Sequence, residues 1–306
     1  MKYITTVALA STAVLFAGAA NAQQGVDFSK VEIKTTDLGN KTYMLEGQGG
    51  DITVAVGTDG IIMVDTQFAP LHDKIKDAIA KISPLPIKYV INTHYHGDHV
   101  GGNAAFHQDG ATIVAHDNVR IRLAAGTTNA VTGNKTPPAE QAALPTESYV
   151  VGDKKLEVGG RVAVLKHVYT AHTDGDTWVM FPDANVLATG DVYGSRTYPN
   201  LDWGSGGTID GMILALETFL KAANDTTEIV PGHGPVATKA NLQEFHDMMV
   251  TARDRVKKLY DAGKTEQEVL AADPLADLNV KWAAPQGITS GPSFLRNVYN
   301  SFRNHN

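Results

Sequence analysis

The chain has 306 residues, a formal net charge of −7 and no cysteine. An acidic chain without a lysine and arginine cluster lacks the basic surface that nucleic acids and anionic membranes require, so a small-molecule substrate is expected instead. The lack of cysteine excludes disulfides and thiolate chemistry, and any metal site must therefore be built from histidine and carboxylate side chains.

The first 22 residues have the pattern of a secretory signal peptide. Lys2 precedes the apolar run "VALASTAVLFAGAA", and Ala20 and Ala22 provide small residues before the predicted cleavage point. The run is shorter than the ~20 residues that span a bilayer, and no later stretch is long enough. We therefore expect a cleaved signal over residues 1–22, no membrane span after its removal, and a periplasmic or secreted protein of residues 23–306.

The next elements in chain order are short strands. The segments "VEIKTT", "KTYMLEG", "DITVAVG" and "IIMVDT" are separated by Gly-Asn and Asp-Gly turn signals, which predicts an antiparallel meander. The segment "LHDKIKDAIAKI" has apolar residues at helical spacing and is followed by two prolines, so it predicts a helix. The strand "IKYVINT" then leads into a histidine-rich stretch.

The remaining elements alternate between helices and strands. The helix "GGNAAFHQ", the strand "TIVAH" and the helix "DNVRIRLAA" precede a polar surface loop that includes "NKTPPAEQ". A second half is predicted from "SYVVGD" onward, with strands such as "RVAVLKHVYT" and "TWVMFP" and the helix "TIDGMILALETFLKAA". Helices are predicted from about residue 241. We expect a single domain over residues 23–306, made of two similar α+β lobes packed sheet to sheet.

The stretch "THYHGDH" has the pattern of metal ligands. Side chains alternate along an extended strand, so His94 and His96 point to one side and can share a cation. Gly97 is predicted to turn the chain through backbone angles that other residues avoid, which aims Asp98 and His99 at a neighbouring point. Three histidines and an aspartate within six residues are difficult to explain by packing, so the pattern predicts half of each of two adjacent metal sites.

Three later residues each follow a strand-like run beside a glycine, where loops at a sheet edge collect ligands. Nitrogen and oxygen ligands without sulfur favour two Zn²⁺ ions, although iron or manganese accepts the same set. The predicted ligands of the first metal are His94, His96 and His172, those of the second are Asp98, His99 and His233, and Asp191 bridges the two.

The other histidines lack this context. His116 ends the strand "TIVAH", and it is expected to start a helix or to support a ligand rather than to bind metal. Surface or packing roles are expected for His72, His107, His167, His246 and His305.

With these residues the sequence resembles the metallo-β-lactamase superfamily, whose hallmark is a His-x-His-x-Asp-His motif followed by His, Asp and His ligands. The resemblance covers nearly all of residues 23–306. It implies the α+β class, with a four-layer αβ/βα sandwich and a dinuclear site at one edge between the two sheets. The Asp98 and His99 pair resembles the third subclass of β-lactamases, whereas Asp191 resembles glyoxalase II, lactonases and other general hydrolases.

Two adjacent cations lower the pKa of a shared water from about 15.7 toward 7, and Asp98 is expected to orient the resulting bridging hydroxide. The expected function is an exported dinuclear zinc hydrolase that opens an amide or ester bond, with a β-lactam as the leading substrate. One alternative is a lactone, thioester or phosphodiester hydrolase with at most incidental β-lactamase activity, which Asp191 favours. An alternative of another class is a diiron redox protein or a non-catalytic metal-binding protein.

Substrate contacts are expected from the loop "YGSRTYPNLDWGSGG" after Asp191, whose glycines and aromatic residues are typical of a mobile lid. An ordinary surface loop with buried aromatic residues is the alternative. The segment "EGQGGD" between two early strands is a second candidate flap. The sequence does not indicate an oligomeric state. The candidate substrate-binding residues are Tyr193, Arg196, Tyr198 and Trp203, with Arg196 expected to bind a substrate carboxylate.

Overall fold

The computed structural model describes residues 26–130 and 133–305. The predicted signal peptide lies outside these residues. Within them, no helix combines the length and the apolar character that crossing a bilayer requires. Two large sheets pack face to face, and helices cover the outer face of each.

The first sheet has seven strands, in the order β1-β2-β3-β4-β5-β6-β9 among the described residues. Strands β1 to β4 pair antiparallel, which confirms the predicted meander, whereas β4, β5, β6 and β9 pair parallel. The short strands β7 and β8 form a separate hairpin within the predicted polar loop. The bounds are β1 (Lys34–Asp37), β2 (Thr42–Glu46), β3 (Ile52–Val56), β4 (Ile61–Val64), β5 (Ile87–Ile91), β6 (Thr112–His116), β7 (Thr127–Thr128), β8 (Lys135–Thr136) and β9 (Glu147–Tyr149).

The second sheet has five strands in sequential order, and the last two are parallel. Its bounds are β10 (Lys154–Val158), β11 (Arg161–His167), β12 (Thr177–Phe181), β13 (Val186–Ala188) and β14 (Glu228–Val230). The prediction that the second half opens at "SYVVGD" is wrong, because β9 adds to the edge of the first sheet beside β6. A parallel pairing between distant strands leaves no local pattern in the sequence.

Several helices of the described residues follow the apolar spacing of their sequences. Helix α1 buries Ile75, Ala78 and Ile79 on one face and ends before Pro84. The segment "TEQEVLAADPLADLN" forms two helices, because Asp273 takes a positive φ of 38° just before Pro274. The bounds are α1 (His72–Ile82), α2 (Gly97–Val100), α3 (Asn103–Gln108), α4 (Asp117–Ala125), α5 (Ile209–Ala222), α6 (Lys239–Asp261), α7 (Glu266–Ala272), α8 (Ala276–Trp282) and α9 (Gly291–Ser301).

Three layers of core hold the sandwich together. Between the sheets, side chains of the first sheet such as Ile62 and Val114 contact side chains of the second such as Val179 and Phe181. A second cluster fills the space between the first sheet and α1. The third lies between the second sheet and helices α5, α6 and α9. The predicted α+β sandwich of four layers is confirmed.

Two histidines join the edges of the two sheets. His116 at the end of β6 stacks on His167 at the end of β11, with ring centroids 3.7 Å apart and planes 8° apart. The backbone N–H of Asn118 donates to His116 Nδ1 at 3.3 Å, so His116 caps the start of α4 as predicted. His167 Nδ1 donates to the carbonyl oxygen of Asp176 at 2.8 Å. The packing role expected for His167 is confirmed.

Candidate metal centre

A first group of side chains meets at the edge where the parallel strands of both sheets end. His96 Nδ1 lies 3.1 Å from His94 Nε2 and 2.9 Å from His172 Nε2. One carboxylate oxygen of Asp191, Oδ2, lies 3.6 Å from His172 Nε2 and 3.8 Å from His94 Nε2. These four ligand-type atoms surround one point, so the group is able to hold one metal ion.

A second group lies beside the first. His99 Nε2 is 3.3 Å from His233 Nε2, and Asp98 Oδ2 is 3.4 Å from His233 Nε2. The other oxygen of Asp191, Oδ1, lies 3.1 Å from His99 Nε2 and 3.3 Å from His233 Nε2. Asp191 therefore turns one oxygen toward each group. The structure brings together all seven residues that the sequence predicted as ligands.

The backbone after β5 places the motif in a way that differs from the prediction. Gly97 does not take a positive φ, and it starts the short helix α2 after His96 in extended conformation. Asp98 and His99 lie in the first turn of this helix. The predicted unusual glycine turn at Gly97 is wrong, because a helix start redirects the chain within angles that any residue can adopt.

His99 is held by a carboxylate that the sequence reading missed. Asp65, directly after β4, accepts a hydrogen bond from His99 Nδ1 at 2.7 Å. The same carboxylate accepts from the backbone N–H of Thr93 at 2.8 Å and from its hydroxyl at 2.7 Å. Asp65 and His99 are both buried. The sequence feature that could have indicated this role is the position of Asp65 directly after a strand, at the same sheet edge as the ligands.

In the first group, the ring nitrogens that face away from the other ligands, here called the outer nitrogens, also have hydrogen-bond partners. His94 Nδ1 lies 3.0 Å from the hydroxyl oxygen of Thr93, whose proton is already donated to Asp65, so the imidazole is the donor. His172 Nδ1 donates to the carbonyl oxygen of Asn200 at 2.6 Å, and His96 Nε2 lies 3.1 Å from Asp202 Oδ2. Because the outer nitrogen of each ring carries the proton, the inner nitrogen, which faces the other ligands, keeps a lone pair that can bind a cation.

The seven residues fit divalent cations. Lone pairs of neighbouring imidazoles repel one another, yet inner nitrogens lie 2.9 to 3.3 Å apart in both groups. Bonds of about 2.0–2.1 Å to a tetrahedral zinc place ligand atoms roughly 3.3 Å apart. Asp191 Oδ1 is buried and accepts no hydrogen bond from a described residue, and a bound cation would compensate this buried negative charge.

Burial and charge set the ionisation of two further carboxyl groups near the centre. Burial raises the pKa of Asp51 to about 8 against the opposing charge of His233, and Asp51 Oδ2 has no hydrogen-bond partner among the described residues. Burial would also raise the pKa of Asp202, but the hydrogen bond and charge of His96 outweigh it and hold that pKa below its usual range. Asp202 is therefore a charged acceptor for His96.

The predicted substrate-binding residues lie in different environments. Tyr193 is buried and packs edge-on against Phe245, and Tyr198 is buried and stacks on Phe294. Neither ring is open to a substrate, because the helices behind the second sheet cover both. Trp203 is half-buried against the same core.

Arg196 alone among the four candidates is exposed. Its Cγ lies 3.5 Å from where a side chain on Gly234 would begin, next to His233. The side chain of His233 is 46% exposed and that of Asp98 29%, whereas His94, His99 and His172 are buried. The centre therefore opens to solvent on the side of His233, Asp98 and Arg196.

The segment predicted as a second flap is fixed to the centre. The backbone N–H of Gly50 donates to the carbonyl oxygen of Asp98 at 3.0 Å, and Gln67 Nε2 donates to the carbonyl oxygen of Gly50 at 2.9 Å. A side chain on Gly50 would begin 2.1 Å from His99 Cε1. This backbone therefore forms a wall of the centre.

Comparisons with known proteins agree with this fold and centre. The family model described as the metallo-beta-lactamase superfamily matches residues 45–233. Metallo-beta-lactamase IND-1 of Chryseobacterium indologenes is 24% identical over 175 residues, covering 57% of this chain and 67% of that protein. The beta-lactamase-like protein 2 homolog of Caenorhabditis elegans is 25% identical over 238 residues, covering 77% of this chain and 69% of that protein.

Solved structures show the same fold. The sec-alkylsulfatase Pisa1 from Pseudomonas sp. superposes with a TM-score of 0.66 at 17% identity over 88% of this chain, which spans 50% of the sulfatase's length. A metallo-beta-lactamase from Pontibacter korlensis superposes with a TM-score of 0.58 at 18% identity, covering 72% of this chain and 99% of that one. The chain belongs to the metallo-beta-lactamase superfamily, and it is a metal-dependent hydrolase.

Proposed function

We propose that the protein is an exported hydrolase with two zinc ions, which opens an amide or ester bond in a small molecule. The observation that carries this proposal is the carboxylate of Asp191, which turns Oδ2 toward one group of three histidines and Oδ1 toward the other group. A carboxylate in this position serves two cations at once. The first would be held by His94, His96 and His172, and the second by Asp98, His99 and His233.

When bound, such cations supply Lewis acidity and a water of lowered pKa. The side chains around them would act on that water and on the substrate. Asp98, partly exposed on the open side, would orient the attacking water and accept its proton at a carboxylate oxygen. The imidazoles of His94, His172 and His96 would stay fixed during the reaction, because their outer nitrogens are hydrogen-bonded to Thr93, Asn200 and Asp202 respectively.

Arg196 would bind an anionic group of the substrate. It is exposed beside His233, and among the described residues it forms no ion pair. A guanidinium in this place recognises a carboxylate or a sulfate by paired hydrogen bonds. Substrates with an anionic group near the scissile bond are therefore favoured over neutral ones.

A β-lactam is the leading substrate, supported by relatives that are named metallo-beta-lactamases and by the predicted export signal. A lactone, thioester or phosphodiester is the alternative, supported by Asp191. The fold shared with a sec-alkylsulfatase adds a sulfate ester to the compounds worth testing. Two iron ions that change oxidation state, without hydrolysis of any compound, would favour a diiron redox protein, and bound metal with neither activity would favour a metal-binding role.

A substrate panel decides among these functions. Purified protein is assayed for metal content and then for hydrolysis of nitrocefin, a carbapenem, lactones, thioesters, bis-p-nitrophenyl phosphate and a secondary alkyl sulfate. We expect two zinc ions per chain, activity that is lost on chelation, and faster turnover of anionic compounds. Asp191→Ser is expected to lower the zinc content toward one and to reduce turnover strongly, because the second oxygen of the bridge is gone.

The outcomes separate the candidates. Turnover of another ester without turnover of any β-lactam would contradict the leading substrate while leaving the hydrolase proposal in place. Two metals without hydrolysis of any compound would favour the metal-binding role. Full activity of Asp191→Ser with two zinc ions would contradict the bridging carboxylate.

A further inference from the structure

The two groups of the metal centre differ in their support: Asp65 reaches both, through His99 and through the Thr93 hydroxyl beside His94, whereas, among the described residues, the segment 198–207 hydrogen-bonds to the first group only. In the second group, His99 is held by Asp65 from the end of β4. In the first group, two of the three histidines are held by residues 198–207, here called the site loop. Within the described residues, no side chain of Asp98, His99 or His233 forms a hydrogen bond with the site loop.

The site loop contacts the first group at three points. The carbonyl oxygen of Asn200 accepts from His172 Nδ1 at 2.6 Å, and Asp202 Oδ2 lies 3.1 Å from His96 Nε2. The backbone N–H of Asp202 donates to the carbonyl oxygen of His172 at 3.1 Å. The loop therefore fixes the ring orientation of both histidines, and its Asp202 carboxylate places a negative charge beside His96 Nε2.

Asp202 is itself held in place by a residue of the histidine motif. The hydroxyl of Tyr95, the residue between His94 and His96, donates to Asp202 Oδ2 at 2.5 Å and lies 2.7 Å from Ser205 Oγ. Both Tyr95 and Asp202 are buried. These contacts fix the carboxylate where it accepts a hydrogen bond from His96 Nε2.

The other end of the site loop is anchored on the C-terminal helices. The backbone N–H of Tyr198 donates to the carbonyl oxygen of Trp282 in α8 at 2.7 Å, and its hydroxyl donates to Asn279 Oδ1 at 3.1 Å. The Tyr198 ring stacks on Phe294 in α9, with centroids 4.2 Å apart. Helices α8 and α9 lie beyond residues 45–233, to which the family model extends.

We propose that the site loop is a positioning element that sets the cation affinity of the first group alone, and that α8 and α9 hold it for this purpose. The inference rests on the proposed two-metal function. A carboxylate or carbonyl behind an imidazole fixes the ring and raises its basicity, and loss of such a partner lowers metal affinity about 10- to 100-fold. Asp202 and Tyr198 are positioning residues in this arrangement.

The test uses the full chain after metal removal. Zn²⁺ is titrated in competition with a chromophoric chelator, which yields two stepwise dissociation constants, and Co²⁺ absorption spectra report on each site. Asp202→Asn keeps the shape of the side chain and removes its charge. It is therefore expected to raise one dissociation constant about 10- to 100-fold and to leave the other unchanged. Asp65→Asn is expected to raise both dissociation constants, because Asp65 holds His99 and also Thr93 beside His94. Asp261→Asn, an exposed control with the same charge change, is expected to alter neither.

Double variants assign the affected site. The effect of Asp202→Asn is expected to persist in His233→Ala, which damages the second group, and to vanish in His96→Ala, which removes the hydrogen-bond donor. Phe294→Leu is expected to weaken the same constant as Asp202→Asn. If Phe294→Leu does not fold, as judged by thermal unfolding of the metal-free protein, Tyr198→Phe replaces it because it removes only a hydroxyl group.

If the wild type binds two cations, the inference is overturned when Asp202→Asn raises both dissociation constants equally or raises neither. A change in the second constant caused by the α9 variant would overturn the role given to the C-terminal helices. A wild-type stoichiometry below two is a distinct outcome, since it contradicts the proposed dinuclear function itself.

Discussion

At the scale of single residues, two glycines beside the metal centre differ in the room around them. Gly50 faces the imidazole of His99, where a Cβ atom would lie 2.1 Å from Cε1 and 2.4 Å from Nδ1. Gly97 begins α2, is exposed, and has no heavy atom within 4 Å of the position of a Cβ atom. The His99 ring is not free to move away, because its Nδ1 is hydrogen-bonded to the buried Asp65.

We predict that Gly50→Ala lowers the free energy of unfolding by about 1–3 kcal/mol, since overpacking displaces the His99 ring or the Gly50 backbone. Binding of one cation is expected to weaken as well. Gly97→Ala is the matched control, and we expect a change in stability within about 0.5 kcal/mol. Urea unfolding of the metal-free proteins and zinc stoichiometry are the measurements. Equal effects of the two substitutions would contradict the steric explanation.

The ligands could be predicted from the sequence because they are local or follow strand ends. His94, His96, Asp98 and His99 lie within one motif. The residues that support them could not be predicted in the same way. Asp65 and Asp202 reach the centre from different elements, and an aspartate after a strand or in a loop is typical of ordinary turns as well.

At the scale of elements, α6 depends on the residues at its start. The hydroxyl of Thr238 accepts from the backbone N–H of Asn241 at 3.3 Å, and Asn241 Oδ1 accepts from the backbone N–H of Thr238 at 3.0 Å. This reciprocal cap satisfies two backbone donors that a helix start leaves free. The helix buries Leu242 and Phe245 in the core between the second sheet and the helices that cover it, so its start is coupled to that core.

We predict that Thr238→Ala lowers the free energy of unfolding by about 1 kcal/mol, because the capping hydroxyl is lost. Thr238→Ser keeps the hydroxyl and is expected to retain most of the stability. Both variants are expected to bind zinc as the wild type does, since α6 does not provide a ligand. Thermal and urea unfolding test the prediction. A similar loss in Thr238→Ser would show that packing of the methyl group, and not capping, matters.

Elements with strong periodicity were predicted well, whereas those defined by distant partners were not. Helices α1, α5 and α6 agree with their apolar spacing. Strand β9 was assigned to the wrong half because only its pairing with β6 decides its sheet. Tyr198 lies in a loop rich in glycine and polar residues, and its burial depends on α8 and α9, which the local sequence does not indicate.

At the scale of the whole molecule, the stacked pair of His116 and His167 connects the two sheets. Burial lowers the pKa of His167 to about 4, and the neighbouring His116 adds to the effect, while the hydrogen bond to Asp176 opposes it. Burial lowers the pKa of His116 also. Asp174 and Asp117 are the acidic groups whose charges act on the pair. Both rings are therefore neutral near neutral pH.

We predict that the protein loses stability as the pH falls from about 6.5 to about 4. The unfolded chain binds a proton at His167 near pH 6.5, but the folded protein does so only near pH 4, so acid favours the unfolded state in this window. His167→Asn is expected to reduce the loss between about pH 7 and pH 5 by on the order of 1 kcal/mol. Urea unfolding of metal-free proteins at both pH values is the measurement. An unchanged pH dependence in the variant would contradict the prediction.

The stack between Tyr198 and Phe294 has a consequence for how the protein matures. Contacts between residues far apart in sequence form late, because a long stretch of chain must first be brought together. All seven ligands precede Phe294, so a chain clipped before α9 would keep every ligand and still lack the ring stack by which α9 anchors the site loop. If the loop acts as proposed, such a chain would release its first cation readily. Retention of metal would then distinguish intact molecules from truncated ones.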